Sequence, residues 1–239
     1  MVFALCHPKL SLTEKEGKQM IYCMSDAHGE LDRWNKMLEL IQFSDTDTLY
    51  FLGDAIDRKP HGIEILQDIM RRPNVHMILG NHEQMMLDSF WSNNIYDARR
   101  LWKNNGGGST YKAMVYKIPT EERLRILRYI QELPEYLEIG VNGRFFYLVH
   151  GYIGENRHDR IWGRPEPPPK ENPISGKTVI VGHTPTYYMN QYSDGFDESA
   201  TLKIFHAPGF IDLDCGCGNN TNQRRLACLR LDDMVEFYV

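Results

Sequence analysis

No apolar run in this 239-residue chain approaches the roughly 20 residues that a membrane-spanning helix needs, so a membrane is not an expected partner. Basic residues do not predominate. The chain has 27 Lys and Arg against 32 Asp and Glu, a net charge of -5. The basic face that nucleic-acid binders carry is therefore missing, and nucleic acid is not an expected partner either. Cysteine is scarce and odd in number, five in all, at spacings that do not make a disulfide framework. The opening Met-Val-Phe-Ala-Leu-Cys is too short for a signal h-region and has no basic n-region. Together these features point to a reducing, cytoplasmic setting. An internal repeat is also lacking, and no composition shift marks a domain boundary. Hydrophobic and charged contents of 42% and 25% are ordinary for a globular protein. The expected organisation is a leader or edge segment over residues 1–19 and one domain over 20–239.

Chemistry first shows in the stretch Thr48 to Lys59. Thr48 to Leu52 is a short run of β-branched, aromatic and aliphatic residues that suits a buried strand. It stops at Gly53, and Asp54, Asp57 and Arg58 follow at once. Carboxylates there are costly unless paired or bound to something. One of them, taken as Asp54, could bridge two divalent cations about 3.5–4 Å apart. On its own the stretch is equally a strand-ending turn with solvated charges.

The same pattern recurs on either side. Met20 to Met24 is a hydrophobic strand followed by Ser-Asp-Ala-His-Gly, and Leu31, Trp34, Leu38 and Ile41 then recur at helical spacing over 30–42. A helix over 60–72 follows the central strand. Val75 to Leu79 is a strand that runs into Gly-Asn-His-Glu and a Met-rich helix. Strand, polar turn and helix in succession read as βαβ units with a largely parallel core, whose ligands gather at the carboxyl ends of the strands. Trp91 to Pro134 breaks the rhythm with helices over 97–103 and 120–132 around Asn104-Asn105-Gly106-Gly107-Gly108, and reads as a cap-like insertion over about 91–134. Asn142-Gly143 between two hydrophobic arms predicts a hairpin over 136–149. Residues 152–173, with the run Arg164 to Pro169, read as a stiff loop. Thr178 to Val181 is a strand. Residues 210–213, 226–231 and 234–238 read as closing antiparallel strands, and Trp91 and Trp102 as core.

Five hydrophobic strands thus end in turns bearing Asp, His or Asn: Asp26-x-His28, Asp54-x-x-Asp57-Arg58, Asn81-His82-Glu83, His150-Gly151 and Gly182-His183. A lone histidine at a strand end is usually structural, but five such placements exceed what turn chemistry requires. Imidazole and carboxylate without thiolate suit Mn, Fe or Zn ions.

The ordered set resembles the signature of the calcineurin-like metallophosphoesterases, and within them the phosphoprotein phosphatases in their short bacterial and phage form. The resemblance spans roughly residues 20–230. It implies an α/β fold, a four-layer α/β/β/α sandwich with a helical cap insertion. It also implies a centre of two divalent metal ions, with Mn expected ahead of Fe or Zn. Asp26, His28 and Asp54 would hold one ion, and Asp54, Asn81, His150 and His183 the other. A hydroxide bridging the ions would attack phosphorus directly. His82 would protonate the leaving oxygen, and Asp57 would orient that imidazole. Arg58 and Arg164 would grip the phosphoryl oxygens, with Asn81 and Lys59 also facing the substrate.

The implied activity is hydrolysis of phosphoserine and phosphothreonine, and by extension phosphotyrosine, in a phosphorylated protein or peptide. The alternative substrate is a dinucleoside polyphosphate at the same site. A phosphodiesterase or nuclease would be expected to show a basic groove, and a non-catalytic scaffold should have lost ligands. Lys59 departs from the family pattern, which has Gly there. It either points to solvent or extends the positive rim towards a second anionic group. Asn105-Gly106-Gly107 resembles a segment of the bacterial members and equally suits a plain inter-helix loop. Cys215-Gly216-Cys217 reads as a turn, since two cysteines cannot close a tetrahedral site. His7, His61, His76, His158 and His206 match no motif.

Overall fold

The computed structural model describes residues 18–239 except 193, 194 and 196. His7 and almost all of the expected leader lie outside the described residues. Among the described residues ten strands form two five-stranded sheets, and period-2 alternation in the strands explains how they stack. In β1 (Ile21–Met24), Tyr22 and Met24 face a helical layer, whereas Cys23 faces the second sheet. The parallel neighbours β2 (Thr48–Phe51) and β3 (Val75–Met77) complete one side of the first sheet. The antiparallel β9 (Ala227–Arg230) and β10 (Val235–Tyr238) complete the other.

The amphipathic helices α1 (Leu31–Leu40) and α2 (Gly62–Arg71) cover the outer face of this sheet. Helix α1 buries Trp34 and Met37, and the Trp34 ring meets Phe51 edge-on at 5.5 Å between centroids. Helix α3 (Asn81–Trp91) follows β3 directly and buries Met85 and Met86.

The second sheet runs β4 (Tyr136–Val141), β5 (Arg144–Val149), β6 (Thr178–Val181), β8 (Phe210–Asp212) and β7 (Phe205–Ala207). Its first two strands are the expected hairpin. Asn142 and Gly143 both take positive φ, +50° and +78°, as the twist of a two-residue hairpin turn requires. Phe146, Leu148, Ile180 and Ile211 pack inward against Cys23, Leu52 and Ile78 of the first sheet. Tyr147, Val149, Val179, Val181 and Phe210 face outward under Tyr152, Ile153 and Ile174. Two mixed sheets flanked by helices are thus the observed α/β architecture.

Some expectations change. The core is mixed rather than largely parallel, because the hairpin and the C-terminal strands pair antiparallel. The strand at 210–213 is not part of an antiparallel closure: β8 lies parallel to β6 and antiparallel only to β7. The supposed loop after β5 contains α7 (Arg157–Trp162), N-capped by Asn156, whose side chain accepts from Asp159 N. A short helix α8 (Thr186–Asn190) also went unread. Trp91 is 41% exposed, not core. Between α3 and β4 lie α4 (Ile95–Trp102), a π-helical turn over Lys103–Gly107, α5 (Gly108–Tyr116) and α6 (Thr120–Gln131).

Phe51 is fully buried, whereas Phe145 is 59% exposed. Phe51→Ala is expected to lower unfolding stability by about 3–5 kcal/mol through the cavity against Trp34. Phe145→Ala should change it by no more than about 0.5 kcal/mol. Urea titration of both variants checks this, and similar midpoints would contradict the assignment of the core.

Candidate active site

Each polar turn leaves a strand at its carboxyl end, and the turns from both sheets converge. Six of the residues in them have left-handed backbones although none is glycine: Asp26, His28, Asp54, Asp57, Arg58 and His183, with φ between +44° and +73°. Each such residue costs about 1–3 kcal/mol and persists only where its surroundings over-determine it. Here every one of the six N–H groups is captured. Asp26 N donates to Gly53 O (3.1 Å), His28 N to Asp54 O (2.9 Å) and Arg58 N to Gly106 O (3.1 Å). Asp57 N donates to Thr110 Oγ1 (3.1 Å) and His183 N to Asp26 Oδ2 (3.0 Å). Asp54 N donates to Glu83 Oε2 (2.8 Å), while Glu83 Oε1 takes Ala55 N (3.0 Å). Glu83 is fully buried, and burial with the nearby Asp54 charge pushes its carboxyl up to about 7.

Asp54 faces two groups with its two oxygens. Its Oδ2 lies 3.5 Å from His28 Nε2, which in turn is 3.6 Å from Asp26 Oδ1. Its Oδ1 lies 3.4 Å from His150 Nε2. Asn81 Oδ1 is 2.9 Å from His150 Nε2 and 3.1 Å from His183 Nδ1. Donor atoms that share an ion at about 2.0–2.2 Å stand about 3–3.5 Å apart, so this spacing fits metal binding. His28 donates its Nδ1–H to Ile56 O (3.0 Å) and His150 its Nδ1–H to Leu52 O (2.7 Å). Both Nε2 atoms are thereby turned inward.

Asp26 Oδ1, His28 Nε2 and Asp54 Oδ2 are buried without a hydrogen-bond partner, which is costly unless a cation sits among them. Burial and the Arg58 guanidinium lower the pKa of His28, and burial with His150 and Arg164 pushes His183 down to about 3. Neutral imidazoles are what a metal requires. At His150 burial lowers the pKa, but the Asp54 and Asp26 carboxylates outweigh it and raise it to about 9, so an ion held there would have to displace a proton. The residues fit a binuclear site for divalent ions.

His82 lies beside this cage, 3.8 Å from Asp54 Oδ2 through its Nε2, and donates its Nδ1–H to Asp57 Oδ2 (2.7 Å). Burial alone would lower the pKa of His82, but the Asp54 and Asp57 carboxylates raise it. Trp102 Nε1 donates to the same Asp57 oxygen at 2.6 Å. Trp102 was read as core only; a contact across 45 positions leaves no local signal.

Arg58 and Arg164 are both exposed and line one cavity of about 430 Å³ with His183 and Asn219. Arg164 donates to Thr184 Oγ1 (3.3 Å) and Arg58 to Asn219 Oδ1 (3.4 Å). The glycine-rich turn also acts here. Gly106 has φ +97°, and a Cβ on it would lie 3.0 Å from Arg58 Cγ, so only glycine fits without strain. Asp212 and Asp214 are buried near Asp26, each with an unpartnered Oδ2. Burial with Asp26 pushes Asp214 up to about 8. Sequence reasoning passed over both, although an acid ending a hydrophobic strand was the signal used elsewhere.

Lys59 does not stand free at the rim. Its Nζ donates to Asn220 Oδ1 (2.6 Å) and lies 3.8 Å from Glu30 Oε1. Arg224 bonds the same Glu30 and donates to Cys217 O (3.1 Å). Lys59 and Arg224 thus pin the 216–224 loop beside the site, where Gly218 lies against the His28 ring. His61, His158 and His206 pair with surface carboxylates, and His76 lies against Tyr50.

Comparison with known proteins gives the family. Residues 20–213 match the calcineurin-like phosphoesterases, and the chain belongs to that family. It is 29% identical over 183 residues to serine/threonine-protein phosphatase 1 of Salmonella typhimurium, covering 72% of this chain and 82% of that one. It is 28% identical over 140 residues to serine/threonine-protein phosphatase 2 of the same organism, 58% of this chain and 61% of the relative, so the match spans less than two thirds of that relative. A shorter stretch of 69 residues is 39% identical to a symmetrical bis(5'-nucleosyl)-tetraphosphatase of Acidovorax ebreus, 28% of this chain and 25% of that one. A crystal structure provisionally named a diadenosine tetraphosphatase shares the fold, with TM-score 0.59 and 17% identity over 94% of both chains. The chain is a metal-dependent hydrolase of phosphoric esters.

Lys59→Met keeps the side-chain stem and removes the ammonium. It is expected to speed amide hydrogen exchange across 217–222 and leave 104–108 unchanged. Equal exchange in both proteins would show that the ammonium does not hold the loop.

Proposed function

We propose that the chain is a phosphomonoesterase acting on phosphoserine and phosphothreonine in proteins, with two divalent ions, best Mn. One observation carries this reading: two arginines from separate loops share a cavity with His183, an imidazole of the Asp54-centred cage. Asp26, His28 and Asp54 would hold one ion; Asp54, Asn81, His150 and His183 would hold the other. When bound, the ions supply Lewis acidity for phosphoester hydrolysis.

The chain's own residues supply the rest. Arg58 and Arg164 grip the non-bridging phosphoryl oxygens, and their planar forks match a monoester, which offers three. His82, anchored through Nδ1, keeps Nε2 for the proton that the leaving oxygen needs. Asp57 steadies the cationic ring and is itself held by Trp102. The identity to a bis(5'-nucleosyl)-tetraphosphatase supports a second reading, hydrolysis of dinucleoside polyphosphates at the same site.

A turnover panel on the Mn-loaded protein separates the two: a phosphoserine peptide, an aryl monoester, an aryl diester and a dinucleoside tetraphosphate. The phosphopeptide is expected to turn over fastest, and chelation should abolish all turnover. A panel dominated by the tetraphosphate would replace the first reading with the second. His82→Asn should lower kcat on the phosphopeptide by about 10²–10⁴ at unchanged metal content. The loss should shrink on a nitrophenyl ester, whose leaving group needs no proton. Equal losses on both substrates would remove His82 from the role of acid.

A further inference from the structure

The cavity that holds Arg58 and Arg164 does not end there. Pro185, Tyr188 and Asn219 are shared walls with a second cavity of about 360 Å³. That cavity is formed by α8 on one side and by Thr221 and Gln223 on the other. Its surface is of two kinds. Tyr187 and Tyr188 meet edge-on at 5.5 Å, and with Leu202 they make an apolar wall. Glu198 adds a carboxylate to it, and Glu166 adds one to the first cavity.

Positive charge is limited along this path. Among the described residues lining the two cavities, Arg58 and Arg164 are the only lysines or arginines. Lys59 and Arg224 stand close behind, but both are engaged with Glu30. A chain of further phosphates leaving the clamp would therefore run along carboxylates with no added cation to meet it. A basic side chain fits the same surface. Its methylene stem can lie on tyrosine and leucine while its charged end reaches glutamate.

We propose that this second cavity is a subsite for a residue close to the phosphorylated one, and that it selects a lysine or arginine there. The inference rests on the phosphoprotein reading given above. Consecutive Cα atoms are about 3.8 Å apart and the two cavities share walls, so the selected residue lies one or two positions from the phosphoresidue.

The test uses three phosphoserine peptides that differ only at the positions flanking the phosphoserine, which carry Arg, Ala or Asp. Each kcat/KM is expressed relative to an aryl phosphate in the same preparation. The Arg peptide is expected to exceed the Asp peptide by about three- to tenfold, the range of a few solvent-exposed charge pairs. The preference should fade at high salt. Glu198 is exposed, so Glu198→Lys should fold, and it is expected to reverse the order. Equal turnover of the three peptides would overturn the subsite while leaving the phosphatase reading intact. So would a Glu198→Lys protein that keeps the wild-type order. A protein that hydrolyses no phosphopeptide but does hydrolyse a dinucleoside tetraphosphate would overturn the phosphoprotein reading, and the subsite with it.

Discussion

Asp26, Asp54, Asp57, Glu83, Asp212 and Asp214 are all buried around the carboxyl ends of the strands, and among the described residues no lysine or arginine is buried with them. Carboxylates in such a setting must be neutralised, hydrogen-bonded or matched by cations. The chain uses all three. Glu83 takes backbone N–H groups from the Asp54 turn, and Asp57 takes an imidazole and an indole. Burial pushes Asp214 towards its neutral form. What is left over, centred on Asp26 and Asp54, is a deficit of positive charge that two divalent ions would meet.

The same arrangement accounts for the backbone. Turns that aim carboxylates and imidazoles at one point cannot follow the easy path out of a strand, so six residues are forced left-handed. Each is then tied through its N–H to another turn or, for Asp54 and Asp57, to a helix. The strain is distributed over contacts between turns that are distant in sequence. The Asp54 turn leans on α3 through Glu83, and the His183 turn leans on Asp26.

That division explains what was legible beforehand. The candidate ligands and Arg58 follow short hydrophobic strands, and strand-then-polar-turn is a local pattern that can be read residue by residue. Arg164 instead follows α7 and is legible only through the family-like stretch Ile161 to Arg164. The hairpin at Asn142-Gly143 was legible for the same reason. Strand direction is not local, so β8 was placed antiparallel although it runs alongside β6. The short helices α7 and α8 carry too few residues for a period to show. Trp102, Thr110 and Asn219 act through partners 45, 53 and 161 positions away. Hydrophobic patterning also misplaced Trp91, which closes α3 on the solvent side.

The hydrogen bond from Trp102 to Asp57 gives the segment between α3 and β4 a standing that its position at the edge of the fold conceals. An inserted stretch that only shaped access to the site could be exchanged for one of another length, and specificity would move with it. Here the exchange would also remove the indole that holds Asp57, the Thr110 hydroxyl that receives its N–H, and the Gly106 carbonyl that receives Arg58. A chimera carrying a foreign segment must therefore supply three polar groups in register before any question of substrate choice arises. In this chain the segment between α3 and β4 and the Asp54–Arg58 turn form one structural unit, not two modules.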